Sequence, residues 1–229
     1  MEIGEAENGK PATGDVETTP PVAEPRTRRR IAIVLLAAGA SSRLGSEGHH
    51  KLLATFDGVP LVRRIAERAV SSIADTVVVV TGARGEDVAI AIDGLSLRLV
   101  VNAEYRSGMA SSLGAGLRAL AITEYDGVLV LLADMPSIET DHINRLIAAF
   151  RASPVPSVVR SVHNAQPGNP VILPRALFER VQALEGDVGA RRLIKASGWP
   201  IIDVEIGEAA SIDVDTQEDL LAAGGRLHR

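Results

Sequence analysis

Three short stretches of this chain place polar side chains where an apolar run ends. "IAIVLLAAGASSRLG" (31–45) leaves the run Ile31 to Leu36 through Gly39, Ser41, Ser42, Arg43 and Gly45. Glycines let a backbone approach a guest closely, and serine and arginine supply hydrogen-bond donors, which suits an anion such as phosphate. A glycine-containing turn between a strand and a helix has the same composition, with Arg43 incidental to it. "LLADMP" (131–136) sets Asp134 at the end of a second apolar run, where a carboxylate is costly to desolvate unless a cation or donor meets it. A turn-capping role answers that cost, and so does Mg²⁺, a hard ion that takes carboxylate oxygens. "SIDVDTQEDL" (211–220) carries Asp213 and Asp215, which share one side of an extended chain. A helix cap at Thr216 or Asp215 explains one acid; two carboxylates converging on Mg²⁺ with substrate phosphates explain both.

Other chemistries are poorly supplied. The first loop is neither G-x-G-x-x-G, which needs glycines where Ser41 and Leu44 stand, nor a P-loop, since Ser46 rather than lysine follows Gly45. The chain has no cysteine, so thiolate chemistry and disulfides are out. Its histidines (49, 50, 142, 163 and 228) show no metal-ligand spacing, and His49 and His50 read as an exposed loop. Aromatic residues make up 3% of the chain, too few for base-stacking platforms, and a net charge of −5 argues against a broad nucleic-acid surface. No apolar run reaches the roughly 18 residues of a membrane helix, and no secretory h-region opens the chain, so a cytoplasmic protein is expected.

The elements that must position these residues alternate. The pattern predicts strands over 31–36, 75–82, 97–102 and 127–136, with helices over 60–72, 85–94 and 139–152 and a loop running into a helix over 108–122. Thr140 or Asp141 is the expected cap of the helix over 139–152. Strands this uniformly apolar belong to a mostly parallel sheet covered on both faces, hence a single three-layer, Rossmann-like α/β domain over 31–229. Ligands of such sheets bind at the carboxyl ends of the strands, and the loop 37–51 follows the first predicted strand, "NAEYRSGMASS" the third and "ADMP" the fourth.

Assembled, the pieces resemble the MobA-like nucleotidyltransferase family, and within it the molybdenum-cofactor cytidylyltransferases. The resemblance spans residues 31 to about 223. It rests on "LAAGASSRLG" followed by Lys51, "GMASSLGAGL" (108–117), "LLADMP", "GNPVILPRALF" (168–178), "GDVGARRLI" (186–194) and "DVDTQEDL" (213–220). It implies a nucleotide-diphospho-sugar-transferase-like fold and Mg²⁺-dependent transfer of CMP from CTP to the phosphate of a molybdopterin-type cofactor. Pyrophosphate would leave, and a molybdenum hydroxylase is an implied partner. On this resemblance the segment Leu36, Ala37, Ala38 and Gly39 holds the nucleotide, with Arg43 and Lys51 facing its phosphates. Asp134 and Asp215 become the metal ligands, with Asp213 beside them. Ser111 and Ser112 line the nucleotide site, and Asn169 and Arg191 the acceptor side. "SEGHH" makes the spacer before Lys51 longer than is usual in the family, and Val188 stands where a lysine is common. Another NTP such as GTP, another phosphorylated acceptor, or a non-catalytic cofactor-binding accessory protein are the alternatives.

Residues 1–25 carry six acids against Lys10, a net −5 that equals the charge of the whole chain. With little to bury, they read as a disordered acidic tail, and "RTRRR" (26–30) as a solvated basic linker. Deleting residues 1–25 is expected to leave melting temperature and nucleotide affinity unchanged. Parallel melts of the two proteins check this, and a drop in either quantity would mean that the tail packs on the domain.

Overall fold

Strand β1 (Ile31–Ala37) is buried along its whole length because both of its faces are covered. Ile31, Ile33, Leu35 and Ala37 point into one apolar cluster, and Ala32, Val34 and Leu36 into a second on the opposite face. Side chains alternate between faces along a strand, so a strand covered twice loses the polar alternation of a half-exposed one. The computed structural model describes Met1 and residues 28–39, 50–183, 194–195 and 198–227.

Strands β4 (Thr76–Thr81) and β6 (Gly127–Leu132) flank β1 in parallel, and β5 (Arg98–Val101) extends the sheet beyond β4. On one face lie helices α1 (Leu61–Val70), α2 (Gly85–Ala91) and α4 (Thr140–Ala152), which contribute Ile65, Val88, Leu146 and Phe150 to the first cluster. On the other lie α3 (Met109–Ala119) and α5 (Phe178–Gln182), which contribute Leu117 and Phe178 to the second. The expected three layers are therefore present. The sheet has seven strands in the order β5-β4-β1-β6-β8-β7-β9, with β7 (Val158–His163), β8 (Gln166–Pro174) and β9 (Ile201–Glu205) at the far side. Strand β8 runs antiparallel to both of its neighbours, so its first residues lie at the edge where the parallel strands end.

Three local features differ from the sequence expectation. The strand expected over 127–136 ends at Leu132, which leaves Ala133 and Asp134 in the turn that follows. Helix α4 is capped by Glu139, in a reciprocal box with His142, rather than by Thr140 or Asp141. Arg28 to Arg30 are fastened to the domain, although the Arg28 side chain stays 57% exposed. Arg28 pairs with Asp75 at 2.7 Å, Arg29 lies over the Phe150 ring and Arg30 over Tyr125. Asp75 and Asp126 also accept from the backbone N–H of Ile31 and Arg30, so two carboxylates anchor the start of β1.

A small hairpin, β2 (Thr55–Phe56) with β3 (Val59–Pro60), links the exit of β1 to the C-terminal segment. Thr55 exchanges both backbone hydrogen bonds with Arg226, just beyond helix α6 (Gln217–Ala222). The segment leading into α6 is tied from another side, where the Val214 N–H donates to the Asp134 carbonyl at 2.9 Å. Gly168 of β8 lies against the same region: a Cβ there would stand 2.0 Å from the Ala210 carbonyl oxygen. Backbone cannot yield as a flexible side chain does, so Gly168→Ala is expected to destabilise the fold by about 1–3 kcal/mol. Urea unfolding checks this, and an unchanged midpoint would contradict it.

Candidate active site: a lysine between two carboxylates

Four chain segments meet at the carboxyl edge of the parallel strands. Beyond β1 come Ala38 and Gly39, and the chain returns at His50 into a single 3-10 turn, Lys51–Leu53. Beyond β4 come Gly82 and Arg84, beyond β5 Asn102, and beyond β6 Asp134. The tether through Val214 brings Asp215 to the same place.

At the centre, the Lys51 ammonium donates to Asp134 Oδ2 at 2.7 Å and to Asp215 Oδ1 at 2.9 Å. The lysine side chain is 11% exposed, Asp134 20% and Asp215 40%, so the cluster opens to solvent on the Asp215 side. Burial by itself pushes the Lys51 pKa down, but Asp134 first and then Asp215 outweigh it, and the net shift is upward. Asp213 shows the opposite stress: burial pushes its carboxyl up, and the charges of Asp134 and Asp215 push it further. The knot thus contains more negative than positive charge and attracts a further cation.

The acids suit a hard divalent metal. One oxygen each of Asp134 and Asp215 meets the Lys51 ammonium, and the other oxygen of Asp134 (Oδ1) is buried without a hydrogen-bond partner among the described residues. An orphaned buried carboxylate oxygen calls for a ligand. Among the described residues, no group of three or more His, Asp or Glu side chains closes as a metal site, so phosphates and water would complete the coordination.

The sequence and the fold that carry this knot match a known group of proteins. The family described as MobA-like NTP transferase domain matches residues 33–201. The chain belongs to that family. Nicotine blue oxidoreductase of Paenarthrobacter nicotinovorans is 32% identical over 193 residues, covering 82% of this chain and 93% of that protein. Purine catabolism protein PucB of Bacillus subtilis (strain 168) is 31% identical over 203 residues, covering 82% and 94%. Among solved structures, the homolog of Mycobacterium tuberculosis rv0371c from mycobacterium sp. strain JC1 superposes with a TM-score of 0.73 at 26% identity, covering 85% and 95%. A nucleotidyl transferase from Methanothermobacter (Mth528) gives 0.72 at 23%, covering 85% and 96%. So does Rv0371c in complex with manganese, at 22%, covering 85% and 98%. The chain is a MobA-like nucleotidyltransferase by family and by fold.

Within that frame the expected site residues separate into groups. Lys51, Asp134 and Asp215 are in direct contact, and Asp213 is near enough to feel both acids. Leu36, Ala37 and Ala38 are buried, with Leu36 and Ala37 paired in the sheet and the Ala38 carbonyl accepting from the Ala83 N–H, while Gly39 is exposed with nothing among the described residues within 4 Å of the position a Cβ would take. Ser111 and Ser112 are tied inward: Asn102 Nδ2 donates to their hydroxyls at 2.9 and 3.0 Å. Asn169 lies on β8 at the same sheet edge as Asp134. Arg43 and Arg191 lie outside the described residues.

Two residues that sequence reasoning missed belong here. Asn102 is buried and also accepts from the Glu104 N–H, so it organises the whole β5–α3 connection. Its signal was a lone amide closing an apolar strand. His50, expected in an exposed loop, is 5% exposed, with its Nε2 2.9 Å from the Gly39 carbonyl oxygen.

Replacing Lys51 by methionine removes the cation and leaves the acids facing one another. Breaking a buried pair costs about 3–5 kcal/mol; the exposure of Asp215 reduces this, and Lys51→Met is expected to lose about 2 kcal/mol near neutral pH. Because the Lys51 pKa is raised above 10.5, its stabilisation is fully present below pH 10.5 and is lost as pH climbs through the higher folded value. Urea unfolding of both proteins across that range should show the gap closing only above pH 10.5; a gap independent of pH would contradict the assignment.

Proposed function

We propose that this protein transfers CMP from CTP to the phosphate of a molybdopterin-type cofactor. The reading is carried by one observation, the Lys51 ammonium between Asp134 and Asp215 at the carboxyl edge of the parallel strands. Membership of an NTP transferase family supports the reaction class; the choice of CTP and acceptor comes from the sequence motifs.

In this reaction an acceptor phosphate oxygen forms a bond to the α-phosphorus of the triphosphate. The bond from that phosphorus to the β-phosphate bridging oxygen breaks, and pyrophosphate departs with the electron pair. No covalent nucleophile from the protein is needed, so the side chains have to position and neutralise charge. Asp134 and Asp215 would hold Mg²⁺, and Asp213 would reinforce the negative field. Bound there, the metal supplies Lewis-acid neutralisation of phosphate oxygens. Lys51 keeps the two carboxylates converged and supplies a cation next to the departing pyrophosphate. Arg43 adds a second cation from the first loop. Gly39 gives the triphosphate room against the backbone. Asn169 and Arg191 would meet the acceptor.

The test is pyrophosphate release from CTP, GTP, ATP and UTP with molybdopterin, each with and without Mg²⁺, alongside melting curves. A nucleotide at 100 times its dissociation constant stabilises the native state by roughly 2.7 kcal/mol, enough to move the melt. Mg²⁺-dependent stabilisation and turnover with CTP are expected, and Asp134→Asn should abolish turnover. Activity in Asp134→Asn would remove the metal assignment. Release from GTP alone would keep the chemistry and change the base. Binding of molybdopterin without pyrophosphate release would favour an accessory protein. One relative is named a nicotine blue oxidoreductase, which makes nicotine blue the informative control; stabilisation by nicotine blue and by no triphosphate would overturn the proposal.

A further inference from the structure

The chain leaves β1 at Gly39 and comes back at His50, and a hydrogen bond joins the two points directly. On one side of this joint, the His50 ring contacts the Gly39 carbonyl at 2.9 Å. On the other, the His50 carbonyl accepts from the Leu53 N–H at 2.9 Å and so closes the 3-10 turn that carries Lys51. Leu52, in the same turn, is buried in the core beneath. Lys51 is therefore held by its neighbours on both sides, and its ammonium emerges between Asp134 and Asp215.

The partner decides the tautomer. A carbonyl oxygen only accepts, so Nε2 carries the proton and Nδ1 presents a lone pair. That Nδ1 is buried and has no partner among the described residues. Burial holds the imidazole pKa below its ordinary 6.5; Arg84 and Lys51 act in the same direction, and the Gly39 hydrogen bond and Asp87 oppose them. A second proton would bury an unpaired charge beside two cations.

We propose that His50 is a positioning residue for nucleotidyl transfer: as its neutral Nε2–H tautomer it holds the Lys51 turn to the exit of β1 and so fixes the Lys51 ammonium between Asp134 and Asp215. The proposal rests on the transfer reading above for its activity readout alone.

The test uses three substitutions in the full-length protein. Glutamine carries its amide nitrogen as many bonds from Cβ as His Nε2 and can donate to Gly39; asparagine is one carbon short. Displacements of about 1 Å at a catalytic group cost on the order of 100-fold. His50→Ala and His50→Asn are expected to lose about that much kcat for pyrophosphate release with KM nearly unchanged, and His50→Gln to stay within about threefold of the parent. Wild-type kcat in folded His50→Asn, or a His50→Gln variant as impaired as His50→Ala, would overturn the proposal. Two readouts do not depend on turnover. An imidazole ¹⁵N spectrum of the parent, assigned with His50→Gln, should show neutral Nε2–H at pH 7; an Nδ1–H tautomer or an imidazolium would overturn it. Acylation of Lys51, followed by peptide mass spectrometry, should be slow in the parent and in His50→Gln and about tenfold faster in His50→Asn as the turn opens locally. Equal rates in all three would overturn it. A parent that releases no pyrophosphate from any triphosphate would sink the transfer reading and leave these two readouts to decide the role of His50.

Discussion

An ammonium held between two partly desolvated carboxylates is the interaction on which this site depends. Alone, Asp134 at the end of an apolar strand would be unfavourable, and so would a lysine buried beside it. Together with Asp215 they offset each other's desolvation, and the surplus of negative charge, felt most by Asp213, leaves the cluster receptive to a further cation.

The sheet explains why those groups can meet. Strands β1, β4, β5 and β6 run parallel and deliver their following turns to one edge. Lys51 and Asp134 arrive from adjacent strands. Asp215 comes from the far end of the chain and needs its own ties, through Val214 to the Asp134 backbone and through Arg226 to Thr55. Helix α6 is seated by a capping box between Thr216 and Asp219. Thus Thr216, rather than Asp215, performs the cap.

Much of this was legible because burial on both faces writes itself into composition. The runs at 31–37, 76–81 and 127–132 are apolar or β-branched and each proved a buried strand, while 98–101 proved an edge strand whose Leu99 and Val101 are exposed. The remaining strands left no such trace. β8 contains Pro167, Gly168 and Pro170, which read as breakers, and β9 alternates exposed and half-buried residues at the sheet edge. At the site, acids at strand ends were visible, since a carboxylate after an apolar run demands an explanation. Lys51 could be placed only by resemblance, because nothing in its local sequence announces two acids 83 and 164 residues away. His50 and Asn102 were hidden for the same reason: their partners are backbone groups and hydroxyls supplied by the fold.

The most direct measurement of the central claim is calorimetric titration of CTP into the parent protein and Asp215→Asn, with Mn²⁺ present and absent. If Asp134 and Asp215 hold the metal that carries the triphosphate, CTP affinity in the parent rises steeply with Mn²⁺. Asp215→Asn should then lose most of that rise while keeping its metal-free affinity. Equal, metal-independent affinities in the two proteins would mean that the lysine knot stabilises the fold and that the nucleotide, if bound, is held elsewhere.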